Sequence, residues 1–282
     1  MRMCLVSLSL REKEMEHAVL ITGAAGGLGR ALVAMALTLP GQPKVVAVDV
    51  REEVVGLFSG QGRVLPLVAD ATSEEALLAA RDELHRRRWQ VRYLINNAGV
   101  YFFHPVTEMT ADLLERMMGV NTRAAVLTVS VFLDDLIARR GRVVQVSTCG
   151  VRLPTLFQAY PATKIAMEAF SISMRQELAL VGVTLSLVRA GAIDTPLVQE
   201  MTRLPVPPEE SRYAGYYRRF LEQATRRVGR MIPPERMAAV IRRALTDRRP
   251  RRLYTVNRNP TIRWLSLLPQ TWLDKLMQRM VR

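Results

Sequence analysis

The chain has 282 residues, of which 49% are hydrophobic and 23% charged, and its formal net charge is +14. That balance excludes a disordered or low-complexity protein and leaves ample apolar surface for one large domain. Two cysteines, Cys4 and Cys149, exclude a disulfide scaffold and suit a reducing, cytoplasmic compartment, and no apolar run reaches the ~18 residues that a spanning helix needs.

Residues 1–16 read as a flexible leader, because the short apolar start MRMCLVSLSL runs into charged REKEMEH instead of a small-residue cleavage site. From 17 to 256 the pattern predicts a single domain. AVLITG (18–23) is a β-prone run ending in glycine, and the helical pattern after it is stopped by Pro40-Gly41. KVVAVDV (44–50) and VLPLVAD (64–70) read as strands, 73–88 as an exposed helix and VRYLINNAG (91–99) as a fourth strand. A long helix is expected over 110–138, a strand at GRVVQVS (141–147), a helix over 157–181, a strand at VTLSLVRAG (183–191) and a seventh at LYTV (253–256). Apolar strands alternating with helices predict an α/β, Rossmann-like doubly wound parallel sheet of about seven strands with helices on both faces. Pro-rich RLPVPPEES (203–211) marks a loop region inside a helical lid at about 195–232.

The first strand turns into its helix through TGAAGGLG (22–29). Gly23, Gly27 and Gly29 permit a tight turn and close approach of a pyrophosphate, while Gly27, Leu28 and Gly29 open a helix whose free N–H groups attract phosphate. Asp49 closes the second strand, where a carboxylate accepts from a ribose 2′-hydroxyl and repels a 2′-phosphate. It favours NAD over NADP, with Arg51 softening the preference. Asp70 and Ala71 end the third strand at the same edge, for contact with the adenine or to cap the next helix. Tyr160 and Lys164, in YPATK, stand one helical turn apart on one face. The ammonium is expected to lower the phenol's pKa. The histidines, at 17, 85 and 104, have no metal-ligand spacing, so no metal is expected.

Together TGAAGGLG, Asp70, NNAG (96–99), Asn121, Ser147 and YPATK resemble the short-chain dehydrogenase/reductase family, in order and spacing, over roughly residues 18–195. The resemblance implies hydride transfer with NAD or NADP. It makes Tyr160 the general acid/base and gives Lys164 the tasks of lowering its pKa and binding the nicotinamide ribose. Ser147 would hydrogen-bond the substrate oxygen, and Asn121 would hold a water linking Lys164 to solvent. Asn97, Ala98 and Gly99 would support the cofactor and central strand, and Thr195 would meet the nicotinamide carboxamide. A homodimer or homotetramer is also implied. Ala190-Gly191 departs from the family's Pro-Gly, which removes a φ restraint and predicts a looser loop.

Leu197, Met201, Leu204, Tyr213, Tyr216, Tyr217 and Phe220, with Phe102, Leu153 and Phe157, suit a lipophilic alcohol or ketone, or else pack the lid onto the sheet. Residues 201–282 hold 19 Lys+Arg against 6 Asp+Glu. In the tail, 257–282, Leu265, Leu268, Trp272, Leu273, Leu276, Met277 and Met280 follow helical spacing, with cations on the remaining face. With RRPRR (248–252) upstream, this reads as a helix for an anionic membrane surface or one docked on the body. No nucleic-acid-reading module accompanies the charge, which disfavours nucleic acid. The expectation is an NAD-preferring enzyme for a lipophilic secondary alcohol or carbonyl of retinoid, steroid or long-chain type, peripherally attached to membrane. The rival is a cofactor-binding regulatory protein without turnover, tethered by the same tail.

Overall fold

The computed structural model describes residues 15–153, 156–202, 210–227 and 231–282. The leader up to residue 14, Leu204 and most of the Pro-rich loop lie outside them, as does the side chain of Met201.

Seven parallel strands form one sheet in the order β3-β2-β1-β4-β5-β6-β7. They are β1 (Glu16–Thr22), β2 (Lys44–Asp49), β3 (Val64–Val68), β4 (Trp89–Asn96), β5 (Arg142–Thr148), β6 (Thr184–Ala190) and β7 (Leu253–Val256). The first strand begins at Glu16, which pairs with Lys44 at 3.3 Å. Side chains alternate across a strand, and here both sides are covered. Against one face lie α1 (Gly27–Ala36) and α10 (Pro234–Thr246), closing Ile21, Val45 and Val144 under Leu32, Met237 and Ile241. Against the other lie α3 (Glu74–Arg86), α6 (Leu133–Ala138) and α7 (Tyr160–Leu180), with Leu20, Val46, Leu94 and Val143 under Leu84, Leu136 and Leu178. Each such side chain contributes about 1.5–3 kcal/mol by leaving water. The chain winds outward from β1 to β3 and returns through β4, so a crevice opens at the carboxyl ends of β1 and β4.

The long helix expected over 110–138 is interrupted. α4 (Ala111–Met118) passes through a π-turn at Gly119–Arg123 into α5 (Ala124–Val131), and α6 follows. The turn carries Asn121, whose amide bonds both main-chain groups of Val100 at 2.9 Å. Two helices have no counterpart in the sequence reading. α2 (Glu53–Phe58) is too short to display a period, and in α10 arginines dilute the apolar face of Met237, Ala238, Ile241, Ala244 and Leu245.

The lid contains α8 (Pro196–Thr202) and α9 (Ala214–Arg227). The tail is two helices, α11 (Pro260–Leu265) and α12 (Gln270–Val281), broken before Pro269. α12 buries Leu273 and Val281 toward the body, where Val281 joins Tyr217, Phe220 and Phe157. Arg219 adds bonds to the Val281 and Arg282 carbonyls.

The packing at α1 yields a paired prediction. A β-carbon on Gly29 would stand 2.1 Å from the Gly23 carbonyl oxygen and 2.7 Å from the Ala24 Cα, whereas one on Gly56 meets nothing within 4 Å. Gly29→Ala should lose about 3 kcal/mol of stability by overpacking, and Gly56→Ala should gain about 0.5–1 kcal/mol from helix propensity. Denaturant unfolding checks both signs.

Candidate active site

A cleft of about 1580 Å³ occupies the crevice, lined by Gly23, Gly27, Leu28 and Gly29, by Asp49, Asp70 and Ala71, by Asn97, Ala98 and Gly99, and by Ser147, Tyr160, Lys164 and Thr195. Parallel strands end together, and every one of these residues except Leu28, Gly29 and Lys164 lies at a strand end, in the turn after one, or at a helix start. Asn121 stands behind this lining, its Oδ1 3.3 Å from where a β-carbon on Gly99 would sit, and Lys164 Nζ lies 3.7 Å from that point.

The floor is stitched across the switch point. The Thr22 hydroxyl accepts from the N–H groups of Asn97 and Ala98 at 3.1 Å, and the Asn97 amide donates to the Thr22 and Gly23 carbonyls at 3.1 Å. Gly23 adopts φ +67°, and a β-carbon there would fall 2.9 Å from Ala98 Cα. On Gly27 it would lie 2.8 Å from Pro196 and 3.2 Å from Thr195. The Gly26 N-cap gives no side-chain bond to α1, so the first-turn N–H groups face the cleft without a capping side chain. This cradle fits the pyrophosphate of a dinucleotide.

At the adenosine end Asp49 is only 6% exposed. Its Oδ2 accepts from Ala25 N at 2.9 Å, and its Oδ1 accepts from Arg51 N and Nε at 3.1 Å. Arg51 also pairs with Glu53 at 3.0 Å. Asp70 accepts from Thr72 N at 2.8 Å, while Ser73 caps α3 through Ala76 N, so Asp70 does not cap that helix.

At the other end, Lys164 Nζ donates to the Val146 carbonyl at 3.2 Å and stands 5.9 Å from the Tyr160 ring centroid. Burial pushes Tyr160 up to about 12 and brings Lys164 down to about 8, with Glu168 opposing the latter. Desolvation alone sets the Tyr160 shift, upward, so the lowering expected from Lys164 does not appear in it. Asn121 spends both amide hydrogens on Val100 O and on Thr163 Oγ1 at 3.0 Å, so it works as a clamp between α7 and the turn after β4. Thr195 is nine-tenths buried and its Oγ1 accepts from Val198 N at 3.4 Å, starting α8. Gly191 packs against Asn257, whose carbonyl oxygen would lie 1.9 Å from a β-carbon there. That contact holds the turn that lacks the family's proline.

Ser147 lines the cleft, in the same lining as Tyr160 and Lys164. It is 2% exposed and donates to Glu168 Oε1 at 2.5 Å, and Glu168 is forked by Arg189 at 2.9 Å and 2.5 Å. Sequence reasoning passed over Glu168, although it follows Tyr160 and Lys164 by further turns on the same face of α7. It also passed over Tyr101, which packs edge-on to Tyr160 at 5.2 Å with a buried hydroxyl that has no partner among the described residues. Of the proposed pocket wall, Leu197 lines the cleft, whereas Tyr217, Phe220 and Phe157 pack the lid against Phe103. Among the described residues no group of His, Cys, Asp and Glu could hold a metal, and no helix is long and apolar enough to cross a membrane.

A parallel doubly wound sheet with a phosphate cradle and a Tyr–Lys pair at its carboxyl edge defines a dinucleotide-binding oxidoreductase fold. The family model for short chain dehydrogenase matches residues 17–204, and the chain belongs to that family. It is 28% identical to human retinol dehydrogenase 5 over 92% of this chain and 87% of that one. It is 27% identical to the NADPH-dependent 3-dehydrocapnine reductase of Ornithobacterium rhinotracheale, over 94% and 97%. A short-chain dehydrogenase structure from Streptomyces avermitilis superposes with a TM-score of 0.73 at 25% identity, covering 95% of each chain.

The buried lysine gives a pH signature. Its folded pKa of about 8 lies below the unfolded 10.5, so the unfolded chain binds the extra proton between those values and stability rises as pH climbs through that window. Relative to wild type, Lys164→Met should show its most favourable melting temperature near pH 7, with the advantage shrinking from pH 8 to 10. A difference independent of pH contradicts the assignment.

Proposed function

We propose that the protein interconverts a lipophilic secondary alcohol and its carbonyl by hydride transfer, preferring NAD to NADP. The observation that carries this reading is the convergence of the glycine cradle, Asp49 and the Tyr160–Lys164 pair in one cleft. A bound nicotinamide supplies the hydride donor or acceptor, which no side chain provides. Tyr160 moves the proton, giving it to the substrate oxygen in reduction and taking it in oxidation. A phenol held near 12 is protonated at neutral pH, which suits it to donate, so oxidation should quicken as pH rises. Lys164 holds a cation beside the phenolate that reduction leaves. Asp49, Arg51 and Glu53 together carry one negative charge at the adenosine end, which favours a free 2′-hydroxyl over a phosphate there. Tyr101, Phe103, Leu197 and Val198 supply an apolar wall, and the human relative's name specifies retinol, a primary alcohol that supports the lipophilic character of the substrate. Retinoid-, steroid- or long-chain-type substrates fit that wall.

Tyr160→Phe should abolish turnover, by at least about 100-fold, while NADH still binds more tightly than NADPH in a fluorescence titration. Retained turnover would remove Tyr160 from the mechanism, and tighter NADPH would reverse the cofactor preference.

The reading extends to contact with an anionic lipid surface. Trp264 is 69% exposed, Trp272 66% and Leu267 69%, beside exposed Arg258, Arg263, Lys275 and Arg279. Tryptophan among cations suits the bilayer interface. Asn257 to Pro260 line the cleft, so α11 joins this surface to the mouth through which a lipid-dissolved substrate would enter. The protein should sediment with phosphatidylglycerol vesicles, and the Trp264→Ser, Trp272→Ser double variant should cut the bound fraction several-fold. Equal sedimentation of both would discard the contact.

A further inference from the structure

We infer that the lipophilic substrate carries an anionic group, a carboxylate, sulfonate or phosphate, which Arg258 and Arg152 receive at the mouth of the cleft. The inference rests on the proposed function and narrows its substrate class. The charges that line the cleft are sorted by end. Asp49, Glu53 and Asp70 lie at the adenosine end, with Arg51 beside them. Asp112 and Glu115 stand on α4. The turn that follows α4 is tied to the adenosine end by Arg123, which donates to the Thr72 carbonyl at 3.1 Å. These two groups hold every acidic residue of the described lining. On the Tyr160 side the wall is formed by the turns after β5, β6 and β7, and by the start of α8. Among the described residues there, the charged side chains of the lining are Lys164 and Arg258. Lys164 is engaged within the site, on the Val146 carbonyl at 3.2 Å.

Arg152 joins Arg258. It ends the 3-10 turn Cys149–Arg152, which packs against α11, and α11 starts two residues after Arg258. Cys149 on the cleft wall feels both: burial pushes its thiol up, while Arg189, Arg258 and Arg152 pull it back. Arg189 is spent on Glu168. Arg152 and Arg258 are exposed and have no acidic partner among the described residues. Asp194, at the start of the lid, lies outside the lining and accepts from Gln199 Nε2 at 2.9 Å. A guanidinium offers a planar fork of N–H groups that matches an oxyanion. The excess of cations over residues 201–282 draws an anion toward the same side of the molecule. A neutral alcohol or ketone leaves this pair of cations unused. A chain with an apolar body and an anionic end uses all of the wall, its carbonyl at Tyr160 and its charge at the two arginines.

The test uses the full chain with NADH and two keto acids, 6-oxoheptanoate and 9-oxodecanoate, each against its methyl ester. A second arm, free of turnover, reads the melting temperature of the NADH complex with decanoate or with methyl decanoate. At least one keto acid should show a kcat/KM about tenfold above its ester's, carried by KM. The double variant Arg152→Gln, Arg258→Gln should bring that ratio close to one, whereas Arg263→Gln on α11 should keep it. Decanoate should raise the wild-type melting temperature more than its ester does, and the double variant should lose the difference. Raising the salt concentration should shrink both effects. Acids no better than their esters, or a preference that survives the double variant, would overturn the inference. If no ketone is reduced, melting decides: stabilisation by decanoate through the two arginines keeps the anion site while the proposed reaction fails, and equal melting with acid and ester removes the site.

Discussion

The site depends on one stitch. Thr22 and Asn97 bind the ends of β1 and β4 to each other where the sheet reverses direction. Strands on either side of that line lead their loops away from it, so the crevice exists because two neighbouring strands part company at their carboxyl ends while their last residues stay joined. Glycine at 23 is demanded by this closeness, since the Ala98 backbone already fills the space of a side chain. The glycine turn and the start of α7 are thereby held on one crevice, and both line it.

On the other side of the cleft, burial sets the electrostatics. Lys164 and Tyr160 are withdrawn from water on the same helix face, and each is pushed toward its neutral form. Glu168, one turn further on, is the nearest counterweight, yet it is already forked by Arg189. The helix thus separates its charges into two layers: a closed ion pair against β6, and an uncompensated ammonium under the phenol. A lysine that is costly to charge is poised to respond strongly when an anion forms beside it.

Much of this was legible in the sequence because it rests on local patterns. The strands are apolar runs, the cradle is a glycine spacing, and Tyr160 with Lys164 is a single helical turn. Residues whose meaning depends on distant partners were not legible. Ser147 was legible as a strand-end hydroxyl, but not that Glu168, 21 positions further on, takes its hydrogen bond. The π-turn that presents Asn121 leaves no period in the sequence. The tail's amphipathic pattern was visible, but not that Pro269 divides it and that α12 commits Leu273 and Val281 to the body while both tryptophans face outward.

The central claim is that the crevice between β1 and β4 takes a nicotinamide dinucleotide with its reactive ring against Tyr160. A crystal structure of the protein soaked with NADH tests it most directly. The account predicts the pyrophosphate on the amino end of α1, with the nicotinamide ribose within hydrogen-bond reach of Lys164. A dinucleotide bound elsewhere, or a Tyr160 hydroxyl turned away from the ring, would contradict it.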